Sequence, residues 1–214
     1  MVGPLTIPHK FSVAKKNTKF LKNLLGYFLI SKRQFIELEW SPKNFLIARI
    51  GSMFISLLLN QEEGLNILRE RHNDFFVQHS SFMDEVIEML NEEIKFQKTG
   101  KSSLNRIFTP ESVRTTMARE LFTWIGLFTN CKGGRKLLRS AGLDSMLMKI
   151  ADIEHLSPLL LVHLDYKDQI SRDFLCFALQ SRSTHIKKHA MEFLRVLYRT
   201  GILDLSWGVK ELVT

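Results

Sequence analysis

The sequence of 214 residues is 45% hydrophobic and 24% charged, with a formal net charge of +8. With that balance disorder is not the default, and the length suits one domain, or one run of repeats, with a real core. The two cysteines, Cys131 and Cys176, stand far apart with no CxxC, which fits idle or buried thiols in a reducing compartment.

Residues 1–17 carry Pro4 and Pro8 and no apolar period, so they read as a basic, flexible arm. They lack the apolar segment and small-residue cleavage site of a secretory leader. Residues 1–50 hold nine lysines and arginines against Glu37 and Glu39, while the rest is close to neutral. Lys15, Lys16, Lys19 and Lys22 form a candidate basic patch for nucleic acid, anionic lipid or an acidic partner. A solvated lead-in is the simpler reading of the same residues.

From Thr18 the pattern is helical, with Phe20, Leu21, Leu24, Leu25, Phe28 and Leu29 spaced by three and four. Ser41-Pro42 then starts a helix, Ser41 as N-cap and Pro42 at the first position, running to about Leu59. Its best apolar window, Asn44 to Leu59, contains Arg49 and ends in polar residues, so no membrane span is expected. A shorter amphipathic piece opens at Gly64, and another follows Ser81. Thr109 and Pro110 start a helix expected to continue unbroken to about Thr129. Short helices follow over Gly133–Ser140, Leu143–Ile150, Leu156–Leu164, Ile170–Gln180 and Thr184–Thr200, with a last one starting near Leu205 or Trp207. No strand pattern or hairpin turn is visible.

Helices of this kind, joined by short turns, make a bundle or a solenoid. The phrase from Gly134 to Leu147 is of the type found in armadillo and HEAT repeats. Its glycine allows a sharp turn and its leucines line a shared core. No strict internal period is evident. The expected fold is therefore all-α, an armadillo/HEAT-like α-solenoid of antiparallel helical hairpins over residues 18–214.

Motifs for chemistry are weak. Thr99-Gly100-Lys101-Ser102 looks like the end of a phosphate loop, but Lys95 stands where the first glycine belongs and a helix precedes it. His185 and His189 have zinc-protease spacing without the catalytic Glu between them, and read as an exposed basic face. Glu62-Glu63 and Glu92-Glu93 are adjacent carboxylates, which point apart on a helix. No catalytic, metal or cofactor residue is assigned, and no enzyme is expected.

Within residues 126–214, the stretches Leu164-Asp165-Tyr166, Lys188 to Arg199 and Trp207 to Thr214 resemble the middle region of the Rictor/Pianissimo family, subunits of TOR complex 2. Lys188-His189-Ala190-Met191-Glu192-Phe193-Leu194-Arg195-Val196-Leu197-Tyr198-Arg199 stands where the family has a phrase of the kind "RLYATKHLRVLLR". Trp207-Gly208-Val209-Lys210-Glu211-Leu212-Val213-Thr214 matches its "WGIELLVTQL". Upstream, Leu164-Asp165-Tyr166, Arg172 and Ala178-Leu179 are similar to a third phrase, although Lys167-Asp168-Gln169 departs from the family turn. Weaker counterparts reach back to Leu24–Phe28 and Leu57–Gly64.

The family-motif positions Asp165, Tyr166, Arg172, Leu194, Arg195, Leu197, Arg199, Trp207 and Gly208 are expected to maintain the fold. Leu194 and Leu197 should pack inward. Arg195 and Arg199 should cap carbonyls or meet Asp165, and Trp207 should plug a groove. The resemblance implies a non-catalytic, cytoplasmic scaffold that docks on the TOR kinase and other subunits of the complex, and so directs the kinase to AGC-family kinases. It implies no cofactor. Nucleic acid is disfavoured as a partner, and peripheral membrane contact within a complex stays open. The alternative is a helical-repeat adaptor of another complex, using the basic N-terminal surface on nucleic acid or anionic membrane. Family members are far longer, so a fragment, a truncated gene model or a reduced relative is expected.

Overall fold

The computed structural model describes residues 18–70, 72–74, 77–101 and 106–202. The basic arm, Trp207, Gly208 and the expected last helix lie outside the described residues.

Eleven α-helices make up most of the described chain. The first three are α1 (Thr18–Phe28), α2 (Pro42–Leu59) and α3 (Glu62–Arg69). A two-stranded antiparallel ladder follows, β1 (His72–Asp74) paired with β2 (Val77–Ser80). No alternating pattern announces it. Then come α4 (Phe82–Thr99), α5 (Pro110–Thr115), a 3-10 turn at Met117–Arg119, and α6 (Glu120–Thr129). The chain continues through α7 (Lys132–Ser140), α8 (Leu143–Ile150), α9 (Ser157–Leu161), α10 (Gln169–Gln180) and α11 (Thr184–Arg199).

The ends follow side-chain chemistry. Ser41 Oγ accepts from Asn44 N at 3.2 Å, with Pro42 in the first turn of α2. Ser81 and Asp84 form a reciprocal capping box on α4. Gly100 closes that helix in the left-handed region, at φ +66°. Thr109, Asp168 and Ser183 cap α5, α10 and α11 in the same way, each satisfying an orphan N–H.

One expected helix is broken. The stretch from Pro110 to Thr129 divides at Thr116, whose backbone is extended. A competing pairing holds it there: Trp40 N donates to Thr115 O at 2.7 Å and Met117 N to Leu38 O at 2.9 Å. Thr116 Oγ1 then caps the 3-10 turn. Residues 38–40 thus take backbone bonds that a continuous helix would have kept.

The helices stack in layers. α2 packs on α6, α3 on α7 and α4 on α8. The order continues, with α6 on α9, α8 on α10, and α11 across α9 and α10. Two three-helix units, α2–α3–α4 and α6–α7–α8, therefore repeat one arrangement. The residues agree at a spacing of seventy: Leu57, Asn60, Gly64, Leu68 and Arg69 recur as Leu127, Asn130, Gly134, Leu138 and Arg139.

Among the described residues, one apolar core runs through the layers. Rings dominate its first half. Phe35 stacks on Trp124 at 5.0 Å, and Phe28 meets both edge-on. α6 packs so closely on the turn that follows α9 that a Cβ on Gly126 would lie 2.2 Å from His163 O.

Candidate protein interaction surfaces

The C-terminal ends of α4, α8 and α10 converge on one side of the stack and leave a groove of about 590 Å³. Ile94, Met148, Ile153 and Phe177 supply its apolar lining, and Phe177 stays 52% exposed. Lys98, Lys149 and Arg182 stand around it. Lys98 and Lys149 lie in the last turns of α4 and α8, where a cation also offsets the helix dipole. Asp152 is the acid in the lining, and Ser181 Oγ donates to it. A cleft with this lining suits an extended segment that brings an apolar side chain and carboxylates.

Polar networks fix the walls. Ser183 Oγ donates to Glu154 Oε1 at 3.2 Å, and His185 approaches the same oxygen at 3.8 Å. On the core side of α4, Glu93 is 1% exposed and takes two hydrogen bonds from Arg106, at 2.6 and 3.0 Å. His155 Nε2 lies 3.5 Å from Glu93 and 2.7 Å from Phe108 O. Burial alone would raise the Glu93 pKa, but the bonds and charges of His155 and Arg106 outweigh it and hold the carboxyl below its usual range. Arg106 also covers the Phe96 ring at 3.4 Å. This cluster ties the chain before α5 to α4 and α8–α9, and so holds the groove wall in place.

The motif residues form a second cluster, at the turn between α9 and α10. Tyr166 is buried and its hydroxyl donates to Leu161 O at 2.7 Å; burial pushes its pKa up. Arg172 Nε donates to Tyr166 O at 2.8 Å. Asp165 N donates to Thr129 Oγ1, and Thr129 Oγ1 donates to Gly126 O. Phe193 of α11 packs on the Tyr166 ring at 5.4 Å, and Leu194 and Leu197 are buried beside it.

Arg195 and Arg199 are exposed. The expected contact with Asp165 is not what that carboxylate makes: Asp165 Oδ1 accepts from Lys167 N at 3.1 Å within its own turn. Carbonyl capping falls instead to Arg172 and to Arg135, whose Nη1 donates to Thr129 O at 2.7 Å. Arg135 also approaches Asp168 at 3.5 Å.

Lys15 and Lys16 lie outside the described residues. Lys19 is exposed, and Lys22 pairs with Glu70 at 2.5 Å, which ties α1 to the end of α3. Gly100 serves as the helix stop of α4, with Thr99 Oγ1 turned back to Lys95 O, so the phosphate-loop resemblance is a C-cap. His185 and His189 are exposed, with rings 5.4 Å apart. Among the described residues, no three His, Cys, Asp or Glu side chains gather as a metal site would require.

The groove itself escaped sequence reading, because its lining comes from three helix ends far apart in the chain. The one available signal was the pair of lysines at helix C-termini.

The chain matches the family model described as the rapamycin-insensitive companion of mTOR, middle domain, over residues 99–198. It is 30% identical, over 99% of its length, to protein pianissimo A of Dictyostelium discoideum, and covers 19% of that protein. It is 19% identical, over 78% of its length, to the target of rapamycin complex 2 subunit ste20 of Schizosaccharomyces pombe, covering 12% of it. The chain thus spans less than a fifth of the length of these curated relatives.

Proposed function

Because the chain belongs to the Rictor/Pianissimo family, we propose that it acts as a scaffold segment of TOR complex 2, holding the TOR kinase together with other subunits and steering it toward AGC-family kinases. The observation that carries this reading is the likeness to pianissimo A along nearly the whole chain. The subunit name of the yeast relative supports the same complex. The proposed role is assembly in the cytoplasm, with no chemical step assigned to this chain.

The layered helices support the architecture such a role needs. We assign the arrangement to the armadillo class, since α2–α3–α4 and α6–α7–α8 stack helix on helix. Solenoids of this kind offer long surfaces to extended partners. The groove beside Phe177, with Lys98, Lys149 and Arg182 around it, is the surface we assign to an acidic segment of a companion subunit.

Deletion of the gene, followed by rescue, tests the proposal. Phosphorylation of AGC-family kinases at the sites that depend on the complex should fall and be restored by the wild-type protein. A Lys149→Glu, Arg182→Glu variant should be made at normal level and restore it poorly, since both residues are exposed. Unchanged phosphorylation in the deletion strain would refute the assignment.

A further inference from the structure

α2 carries a face that the rest of the described chain leaves open. Its inner side buries Ala48, Gly51, Phe54, Ile55, Leu58 and Leu59. Its outer side is apolar too. Leu46, Ile50 and Met53 are 57%, 56% and 54% exposed, and half-buried Leu57 continues their line. These four residues fall at i, i+4, i+7 and i+11, which is one stripe of a helix about 16 Å long. Scattered exposed apolar residues need no explanation, but a continuous stripe does.

Two features say what fits it. At 100° per residue, Arg49 borders the stripe on one side and Lys43 on the other. α2 itself contains no carboxylate; Glu39 and Glu62 lie beyond its two ends. Beside the stripe, Ser52, Met53, Ser56 and Leu57 of α2 and Leu127 of α6 border a groove of about 500 Å³. A large side chain protruding from a docked helix fills such a hollow.

We propose that this stripe docks an amphipathic α-helix of a partner protein, with leucine-type residues on one face and carboxylates along its edges. Its apolar face covers Leu46, Ile50, Met53 and Leu57. One large side chain enters the groove against Leu127, and its edge carboxylates meet Lys43 and Arg49. The surface is separate from the groove at α4, α8 and α10, so it does not depend on the function proposed above.

Fluorescence anisotropy of two labelled synthetic helices on the full chain tests this. Both carry the same leucine stripe, one edged with glutamates and the other with lysines. The glutamate helix should bind at least tenfold more tightly. An Ile50→Glu, Met53→Glu variant should weaken it at least tenfold with an unchanged circular dichroism melt, since both positions are exposed. Lys43→Glu with Arg49→Glu should narrow the preference between the two peptides. Equal binding of the peptides, or binding of neither, would overturn the proposal. So would phosphatidylserine vesicles binding through Ile50 and Met53 while the glutamate helix does not, which would make the stripe a membrane contact. Self-association in ultracentrifugation that the Ile50→Glu, Met53→Glu change abolishes, without peptide binding, would make a second copy the occupant.

Discussion

Gly134 occupies, seventy residues further on, the same place in its unit as Gly64. A Cβ on Gly64 would lie 2.3 Å from Leu58 O, and one on Gly134 would lie 2.3 Å from Phe128 O. Each glycine sits in the first turn of a short helix that folds back against the end of the helix before it. The missing side chain sets how tightly α3 closes on α2, and α7 on α6.

Gly64→Ala and Gly134→Ala should therefore each destabilise the chain by about 1–3 kcal/mol, because backbone must move to admit the methyl group. Gly26→Ala is the control. There the nearest atom to a new Cβ is the flexible Lys32 Nζ at 3.4 Å, and the residue sits within α1. That change should be neutral or stabilise by about 0.5 kcal/mol. Thermal melts of the three variants check the contrast.

Glu93→Gln should cost about 3 kcal/mol, since it leaves the Arg106 guanidinium nearly buried without its charge partner. For a chain of this size that lowers Tm by roughly 6–12 °C. Replacing Arg106 and Glu93 together with apolar residues should cost less than the sum of the single changes.

Stability should fall with acid in two steps. His163 is held below its ordinary value of 6.5, first by burial and then by the Arg119 charge. Its contribution is present above pH 6.5 and is lost as pH falls through the lower folded value. Glu93 is likewise depressed, so its contribution is lost further down, below pH 4.5. Glu120 has the opposite sign. Burial raises its pKa despite the Thr123 hydrogen bond and Arg119, so its ionised form weakens the fold at neutral pH. Glu120→Gln should raise Tm at pH 7 and leave it little changed near pH 4. Denaturant titrations across pH 3–8 read all three effects.

Tyr166→Phe should cost about 1–2 kcal/mol, by leaving the buried Leu161 carbonyl without its donor while keeping the ring against Phe193. Chemical denaturation of the variant measures it. A cost this small would mark Tyr166 as a fold residue.

Much of the helix pattern was legible because local chemistry marks it. Ser41-Pro42 and Thr109-Pro110 declare helix starts, and Gly142 and Gly201 stand just past helix ends at φ +69°. The break at Thr116 was not legible, because it depends on backbone bonds to Leu38 and Trp40, far away in the chain. The seventy-residue repeat was also hidden. It keeps five identities in a thirteen-residue stretch, too few to show a period until the contacts of α2 with α6 and α3 with α7 align them. Of the motif residues, Leu194 and Leu197 could be placed by helical spacing alone. Asp165, Tyr166 and Arg172 could not, since their bonds close within an irregular turn.

Tagging the chromosomal copy and identifying what co-purifies with the protein tests membership of the TOR complex most directly. Recovery of the TOR kinase with other complex 2 subunits, in amounts comparable to the tagged protein, is the predicted result. Soluble, folded protein that brings down neither the kinase nor those subunits would contradict the scaffold role, while leaving the layered helical fold intact.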